Sequence, residues 1–200
     1  MGLRERKKAE TRAALSWAAV RLTVERGYDN VKVEDIAEAA GVSPRTFNNY
    51  FSSKGEAIVA RHVDRWTGIA EALRERPADE PLWEAISHSV LLRFQPDVHA
   101  TASPPPEGVD WAAGVRTMVA HPALLGEMLR GAAGAEAEIA AAVAERTGTD
   151  LTEDQYPHLV AAAVAAAINT ATAHHLRTDQ QASLRELLED GLARLAVGFS

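Results

Sequence analysis

Apolar residues recur along this chain of 200 residues at steps of three and four, and no sustained period-2 run of branched and aromatic residues interrupts them. Such spacing lays one apolar stripe along a helix, so the chain reads as all-α. The first helix is expected over about Leu3 to Arg26, with Ala14, Trp17, Ala18, Leu22 and Val24 facing inward and Gly27 as its stop. A short helix covers about Val33 to Ala40 and ends at Gly41. Ser43-Pro44 opens the next as N-cap and first-turn proline. Ser53, with Glu56 three residues on, is a capping box for a long helix to about Arg74. Its stripe is Ile58, His62, Trp66, Ile69 and Leu73. Pro77 and Pro81 break that pattern, and Leu82, Ile86, Val90 and Phe94 form the next stripe. Gln95 to Gly108, with Pro104-Pro105-Pro106, reads as a surface loop. Helical pattern resumes over about Val109 to Ala120 and Pro122 to Arg146, with a break expected near Gly131–Gly134. The last two helices are expected over about Glu153 to Arg177 and Gln181 to Val197.

The most informative segment is Val33 to Tyr50. Two short helices are separated by Gly41-Val42-Ser43, and Ala37 is small enough to let the second cross closely. Ile36, Ala40, Val42, Phe47 and Tyr50 fall where two crossed helices share a core, the layout of a helix-turn-helix. The second helix would then bury Phe47 and expose Arg45, Thr46, Asn48 and Asn49. Arginine pairs doubly with guanine and asparagine with adenine, so this is a base-reading face. About eight residues would make a helix roughly 12 Å long, matching the width of a major groove. Lys54 falls in the first turn of the following helix, where free N–H groups favour a phosphate.

Charge supports the same division. The net charge of −7 hides an asymmetry: residues 1–60 hold 10 Lys+Arg against 8 Asp+Glu, and the remainder holds 11 against 20. A mildly basic head on an acidic body fits a protein whose head alone meets phosphate. The absence of cysteine excludes a disulfide scaffold, a thiolate zinc site and a cysteine nucleophile. No window of about 18 apolar residues is expected to span a membrane. Met1 to Lys8 lacks the apolar core and cleavage site of a signal peptide, so a soluble cytoplasmic protein is expected. Adjacent His174 and His175 diverge by about 100° on a helix and fit no metal-site spacing, so no metal and no cofactor are expected. No Gly-rich phosphate loop or Gly-x-Ser-x-Gly elbow offers a carrier for enzyme chemistry.

The string Arg26-Gly27-Tyr28, then Val33-Glu34-Asp35-Ile36-Ala37-Glu38-Ala39-Ala40-Gly41-Val42-Ser43-Pro44-Arg45-Thr46-Phe47, then Tyr50-Phe51 and Ser53-Lys54, carries a resemblance. Residues 11–60 resemble the DNA-binding domain of the tetracycline-repressor (TetR) family of bacterial regulators. His121-Pro122-Ala123-Leu124-Leu125 and Ala142-Val143-Ala144-Glu145-Arg146 resemble the bodies of actinobacterial-type members, some of which respond to acyl-coenzyme A or other lipophilic effectors.

The resemblance implies a three-helix DNA-binding domain over 1–53, followed by a larger helical effector-binding and dimerisation bundle over 54–200. It implies a homodimeric repressor on a palindromic double-stranded DNA operator, released by a small effector. By position, Thr11, Thr46, Tyr50 and Lys54 would touch phosphates, while Arg45 and Asn49 would face bases. Asn48 stands where many members carry an aromatic residue. Lys32 replaces a Ser or Thr that often caps the short helix, a cap worth about 1 kcal/mol.

The body holds Trp66, Trp83, Phe94, Trp111, Met118 and Met128 on its central helices, with His62 and Arg93 as polar neighbours and His88 beside them. A mostly apolar pocket between helices is a usual ligand site, and these residues are the expected effector contacts. Ala162, Ala166 and Ile168, with Leu188 and Leu192, are expected at a four-helix dimer interface, since small side chains let helices approach. Two alternatives remain at this stage: a DNA-binding regulator with no effector, and a helical enzyme using the aromatic pocket.

Overall fold

The computed structural model describes residues 2–95, 111–177 and 182–198, with the Trp111 side chain outside the described part. All regular structure among the described residues is helical: α1 (Leu3–Arg26), a single 3-10 turn (Tyr28–Asn30), α2 (Val33–Ala39), α3 (Pro44–Asn48), α4 (Lys54–Arg74), α5 (Leu82–Arg93), α6 (Trp111–Ala120), α7 (Pro122–Thr147), α8 (Tyr156–Arg177) and α9 (Leu184–Gly198). The loop expected over Gln95–Gly108 lies outside the described residues from 96 onward.

Contacts divide the chain into two compact units. The described residues of the first are 2–63 and 111–131, and those of the second are 64–95, 132–177 and 182–198. The expected boundary at 53/54 would cut a packed cluster, because Ala57, Ile58, Val59 and Ala60 of α4 are buried with residues of α1, α2 and α3.

In the first unit, α1 buries Leu15, Ala18, Ala19 and Leu22, which sit at steps of three and four along one stripe. Val24 lies off that stripe and is 42% exposed, against expectation. Trp17 is half-buried beneath the Arg61 guanidinium, 4.1 Å above its ring. The break expected near Gly131–Gly134 does not occur: α7 runs unbroken from Pro122 to Thr147. A helical glycine costs only about 1 kcal/mol, and here it has a packing role. A side chain at Gly131 would collide with Val63 of α4.

In the second unit, Trp66, Ile69 and Leu73 of α4 pack with Ile86 and Val90 of α5, Ile139 and Val143 of α7, and Val160 and Val164 of α8. Ile168, Leu188 and Leu192 join this core and are sealed from solvent. They were expected to face a second copy; they instead fill this chain's own interior. Ala162 and Ala166 lie on the opposite face of α8 and are exposed. Against expectation, α8 is long and apolar enough to cross a membrane by length and composition alone, with a mean hydropathy of 1.3. Its apolar side packs on the core of this unit.

A polar clasp ties the α4–α5 connection to the end of α7. The Arg146 guanidinium donates to the carbonyls of Arg76, Pro77 and Glu80, satisfying acceptors that the end of α4 and its turn leave open. The Glu80 carboxylate accepts from Arg76 at 2.6 and 2.7 Å and from His88 Nδ1 at 2.7 Å. The hydrogen bonds from Arg76 and then His88 hold the Glu80 carboxyl at about 2, well below the usual 4.5. A carboxyl whose folded value is depressed contributes stability above its ordinary pKa and loses it as pH falls toward the folded value. Glu80→Gln should therefore narrow its stability deficit against the unmodified protein between about pH 4.5 and 2. Thermal unfolding across that range checks this; a parallel pH dependence would count against the clasp.

Candidate nucleic-acid interface

The turn before α3 is built by its local sequence. After α2, Gly41 adopts φ +69°, a left-handed conformation that a Cβ would strain. Its N–H donates to Glu38 O and that of Val42 to Ala37 O, both at 2.9 Å, which closes the helix end. Ser43 Oγ then accepts from Thr46 N–H at 3.0 Å, and Pro44 takes the first helical position. At the start of α2, Lys32 has no side-chain cap, but its own N–H donates to Asp35 Oδ2 at 2.8 Å. Half a capping box thus survives the lysine. The expected Ser53–Glu56 box is also altered. Ser53 Oγ accepts from Glu56 N–H, while the Glu56 carboxylate accepts from the N–H and hydroxyl of Ser52.

Phe47 is fully buried and pins α3, its ring 5.7 Å from that of Phe51. Arg45, Asn48 and Asn49 are exposed on the other side, and Thr46 and Tyr50 are half-buried at its margin. The helix proper has five residues, shorter than expected, although Tyr50 and Phe51 donate back to Phe47 O and prolong the turn. The Thr46 hydroxyl lies 2.9 Å from that of Ser43, and Thr11 Oγ1 donates to Lys7 O at 2.9 Å.

Beside α3 a cleft of about 390 Å³ is lined by Arg4, Lys7, Lys8 and Thr11 of α1 with Thr46, Asn49 and Tyr50. Arg4, Lys7 and Lys8 were not among the expected contacts. Their spacing with Thr11, at i, i+3, i+4 and i+7, was the signal available in the sequence.

Lys54 opens α4, where it was expected, and its ammonium is engaged within the head. Its ammonium donates to Tyr28 O at 2.8 Å and Val31 O at 2.9 Å and lies 4.1 Å from the centre of the Tyr28 ring. Two of its three donors are therefore engaged within the head. Tyr28 in turn packs against His121, between α6 and α7, with ring centres 4.3 Å apart and planes tilted by 44°, and His121 Nε2 lies 3.6 Å from Asp29. Burial, then the charges of Glu127 and Asp29, push the Tyr28 phenol up.

The expected effector residues divide between the units. Trp66 is in the second unit's core, with Trp83 and Phe94 packed against it. Arg93 donates to Gly68 O at 2.7 Å and lies 3.3 Å from Glu71. Met118 and Met128 belong to the first unit's cluster, and half-buried His62 is also in that unit. The side chain of Trp111 lies outside the described residues. His174 and His175 diverge: His175 is nearly buried with Nδ1 2.8 Å from Ala182 O, whereas His174 is exposed. An open groove of about 580 Å³ runs along α8 and α9, lined by Ala166, Thr170, His174, Leu187, Gly191 and Leu195 among others.

Comparison with known proteins gives this geometry a family. A model described as bacterial regulatory proteins, tetR family, matches residues 17–60, and one described as the MftR C-terminal domain matches residues 80–200. The HTH-type transcriptional regulator TcmR of Streptomyces glaucescens is 36% identical over 164 residues, covering 80% of this chain and 71% of that relative. The HTH-type transcriptional activator FasR of Mycolicibacterium smegmatis is 37% identical over 91 residues, 40% of this chain and 42% of that relative. The solved structure of the fatty acid degradation regulator FadR from Bacillus halodurans shares the fold. It has a TM-score of 0.59 at 15% identity and covers 92% of this chain and 93% of that one. A helix-turn-helix head with an exposed Arg-Asn-Asn face, matched in sequence across both head and body, places the chain in the TetR family of bacterial transcriptional regulators.

Proposed function

We propose that this protein is a cytoplasmic, homodimeric repressor that reads a palindromic operator through α3 and is released by a small, largely apolar effector. The observation that carries the reading is the division of α3, with Phe47 locked in the core and Arg45, Asn48 and Asn49 presented outward. A buried anchor fixes the angle at which the three polar side chains enter a major groove. Support for effector control comes from the first unit. Its α6 and the start of α7 are packed with the DNA-binding helices, so a ligand that displaces α6 or α4 changes the head's setting. For a dimer, two heads must meet major grooves about 34–36 Å apart on one face of the duplex. Footprinting on DNA upstream of the chain's own gene tests the core of the reading. A reporter then gives the sign, since expression that falls on deletion of the regulator would favour an activator.

Within the head, Arg45 reads a base and Lys54 holds the fold. Arg45→Ala should lose about 1–3 kcal/mol of operator affinity and relax one position per half-site in operator selections. Lys54→Met should leave the selected consensus intact. It should destabilise the protein by about 1.5–3 kcal/mol, the worth of a hydrogen bond from a charged group. Unchanged preference for the first variant, or unchanged stability for the second, would reverse the assignment.

The dimer face proposed for α8 and α9 lies at the margin of the core: exposed Leu159, Ala162 and Ala166 on α8, with half-buried Leu187, Gly191 and Leu195 on α9. Ala166→Glu places a carboxylate in that contact, where an unpaired buried charge is strongly unfavourable. The unmodified chain should sediment as a dimer at micromolar concentration and the variant as a monomer. A monomeric unmodified chain sinks the proposal.

The effector is proposed to contact the aromatic set of the second unit, Trp66, Trp83 and Phe94, with Arg93 as the nearby cation. Trp83→Ala should then raise the concentration of a releasing compound at least tenfold while changing operator affinity less than twofold. Equal losses in both would mean that Trp83 only supports the fold.

A further inference from the structure

Four side chains on the first turns of α1 stand in line. Arg4, Lys7, Lys8 and Thr11 share one face of the helix and line the same cleft as Thr46, Asn49 and Tyr50 of the reading element. Arg4, Lys7 and Lys8 are exposed, and no carboxylate is among the cleft's lining residues. The nearby acid Glu10 is taken up on another side of the helix, 3.5 Å from Arg6.

This placement is not explained by folding. The N-terminal end of a helix carries the positive end of its dipole, which favours acidic side chains and disfavours basic ones. Here the first turn offers only Glu5 as an acid, Gly2 provides no side-chain cap, and four cations crowd residues 4 to 8. Within the described residues Arg4, Lys7 and Lys8 make no ion pair that would offset this. A local arrangement that opposes its own helix marks a functional site more often than a structural one.

The geometry points to a second DNA-anchoring element: this cationic face of α1 grips the phosphodiester backbone flanking the groove that α3 enters. The inference rests on the DNA-binding reading and adds to it a sequence-independent contact. From Arg4 to Thr11 the helix rises about 10 Å, which spans about three phosphate steps along the axis of one strand. Lysine and arginine supply the charge, and the hydroxyls of Thr46 and Tyr50 supply neutral donors at the cleft walls, while the Thr11 hydroxyl stays on Lys7 O. Asn49 lies in the same cleft and on the exposed face of α3, so base reading and backbone grip adjoin at that residue. The contact fixes register without reading sequence.

The test uses the full chain and a triple variant, Arg4→Ala/Lys7→Ala/Lys8→Ala, on the footprinted operator and on a random duplex. Affinity is measured over a salt series. If all three side chains meet phosphates, the slope of log K against log salt should fall by about 2.7 per bound protomer, from 0.9 per contact. Affinity should fall on both duplexes, with the selected consensus and the thermal midpoint unchanged. Lys7→Arg/Lys8→Arg should keep the full slope. An unchanged slope in the triple variant, with operator binding by the unmodified protein intact, overturns this inference and leaves the α3 reading standing. A shifted consensus also overturns it, because the contact would then read bases. If the unmodified protein binds no duplex, both readings fall together.

Discussion

The burial of Phe47 is the constraint on which the DNA-facing geometry depends. A helix of five residues is far below the length at which an isolated helix persists in water. Besides its Ser43 cap, it is held because its one large apolar side chain is buried in the cluster that also contains Leu15, Ile36, Ala37 and Phe51. Emptying such a site by a change to alanine typically costs about 3–5 kcal/mol, a large share of the stability of a small cluster. Because the anchor sits mid-helix, the residues beside it are forced outward. The exposure of Arg45, Asn48 and Asn49 therefore follows from the position of Phe47 and does not need contacts of their own.

The same cluster explains why the head is not a separate module. Met118 of α6, Leu124 of α7 and Ile58 of α4 are buried in it together with Phe47. Gly131 allows α7 to pass close to Val63, and the Tyr28–His121 ring contact meets the turn that Lys54 holds. These packed groups and directed hydrogen bonds make α6, the start of α7 and the 28–31 turn parts of one buried cluster of the first unit. Close-packed contacts of this kind favour discrete alternative settings over gradual bending.

Helix identity was legible in the sequence almost throughout, because caps and glycine stops are local signals. Leu3–Arg26, the Gly41 turn and the Ser43-Pro44 start all formed where the residues placed them. What stayed hidden depended on partners distant in sequence. A leucine at an α8 or α9 interface and a leucine in the core have the same periodicity, so Leu188 and Leu192 could not be assigned from spacing. Lys54 read only as a phosphate contact because its partners, the carbonyls of Tyr28 and Val31, are backbone groups that any residue carries. Gly131 read as a break because propensity is visible in sequence and a neighbour such as Val63 is not. For the candidate site, the exposure of Arg45, Asn48 and Asn49 on one side of α3 was legible from the motif. The α1 cations were overlooked although their i, i+3, i+4 pattern was present, since a basic terminus resembles ordinary solvated charge.

The distribution of charge over the two units completes the physical picture. Residues 1–63 and 99–131 hold 13 Lys+Arg against 11 Asp+Glu, and residues 64–98 and 132–200 hold 8 against 17. A duplex is therefore attracted by one unit and repelled by the other, so the chain's net negative charge does not oppose DNA binding; it restricts which surface can approach. The attraction is short-ranged at cellular salt, where charges are screened over about 8 Å. Net charge matters little at that range, and local clustering decides. By that physics, cations gathered in the cleft beside α3 count for more toward a phosphate placed there than a larger number of acids beyond a screening length.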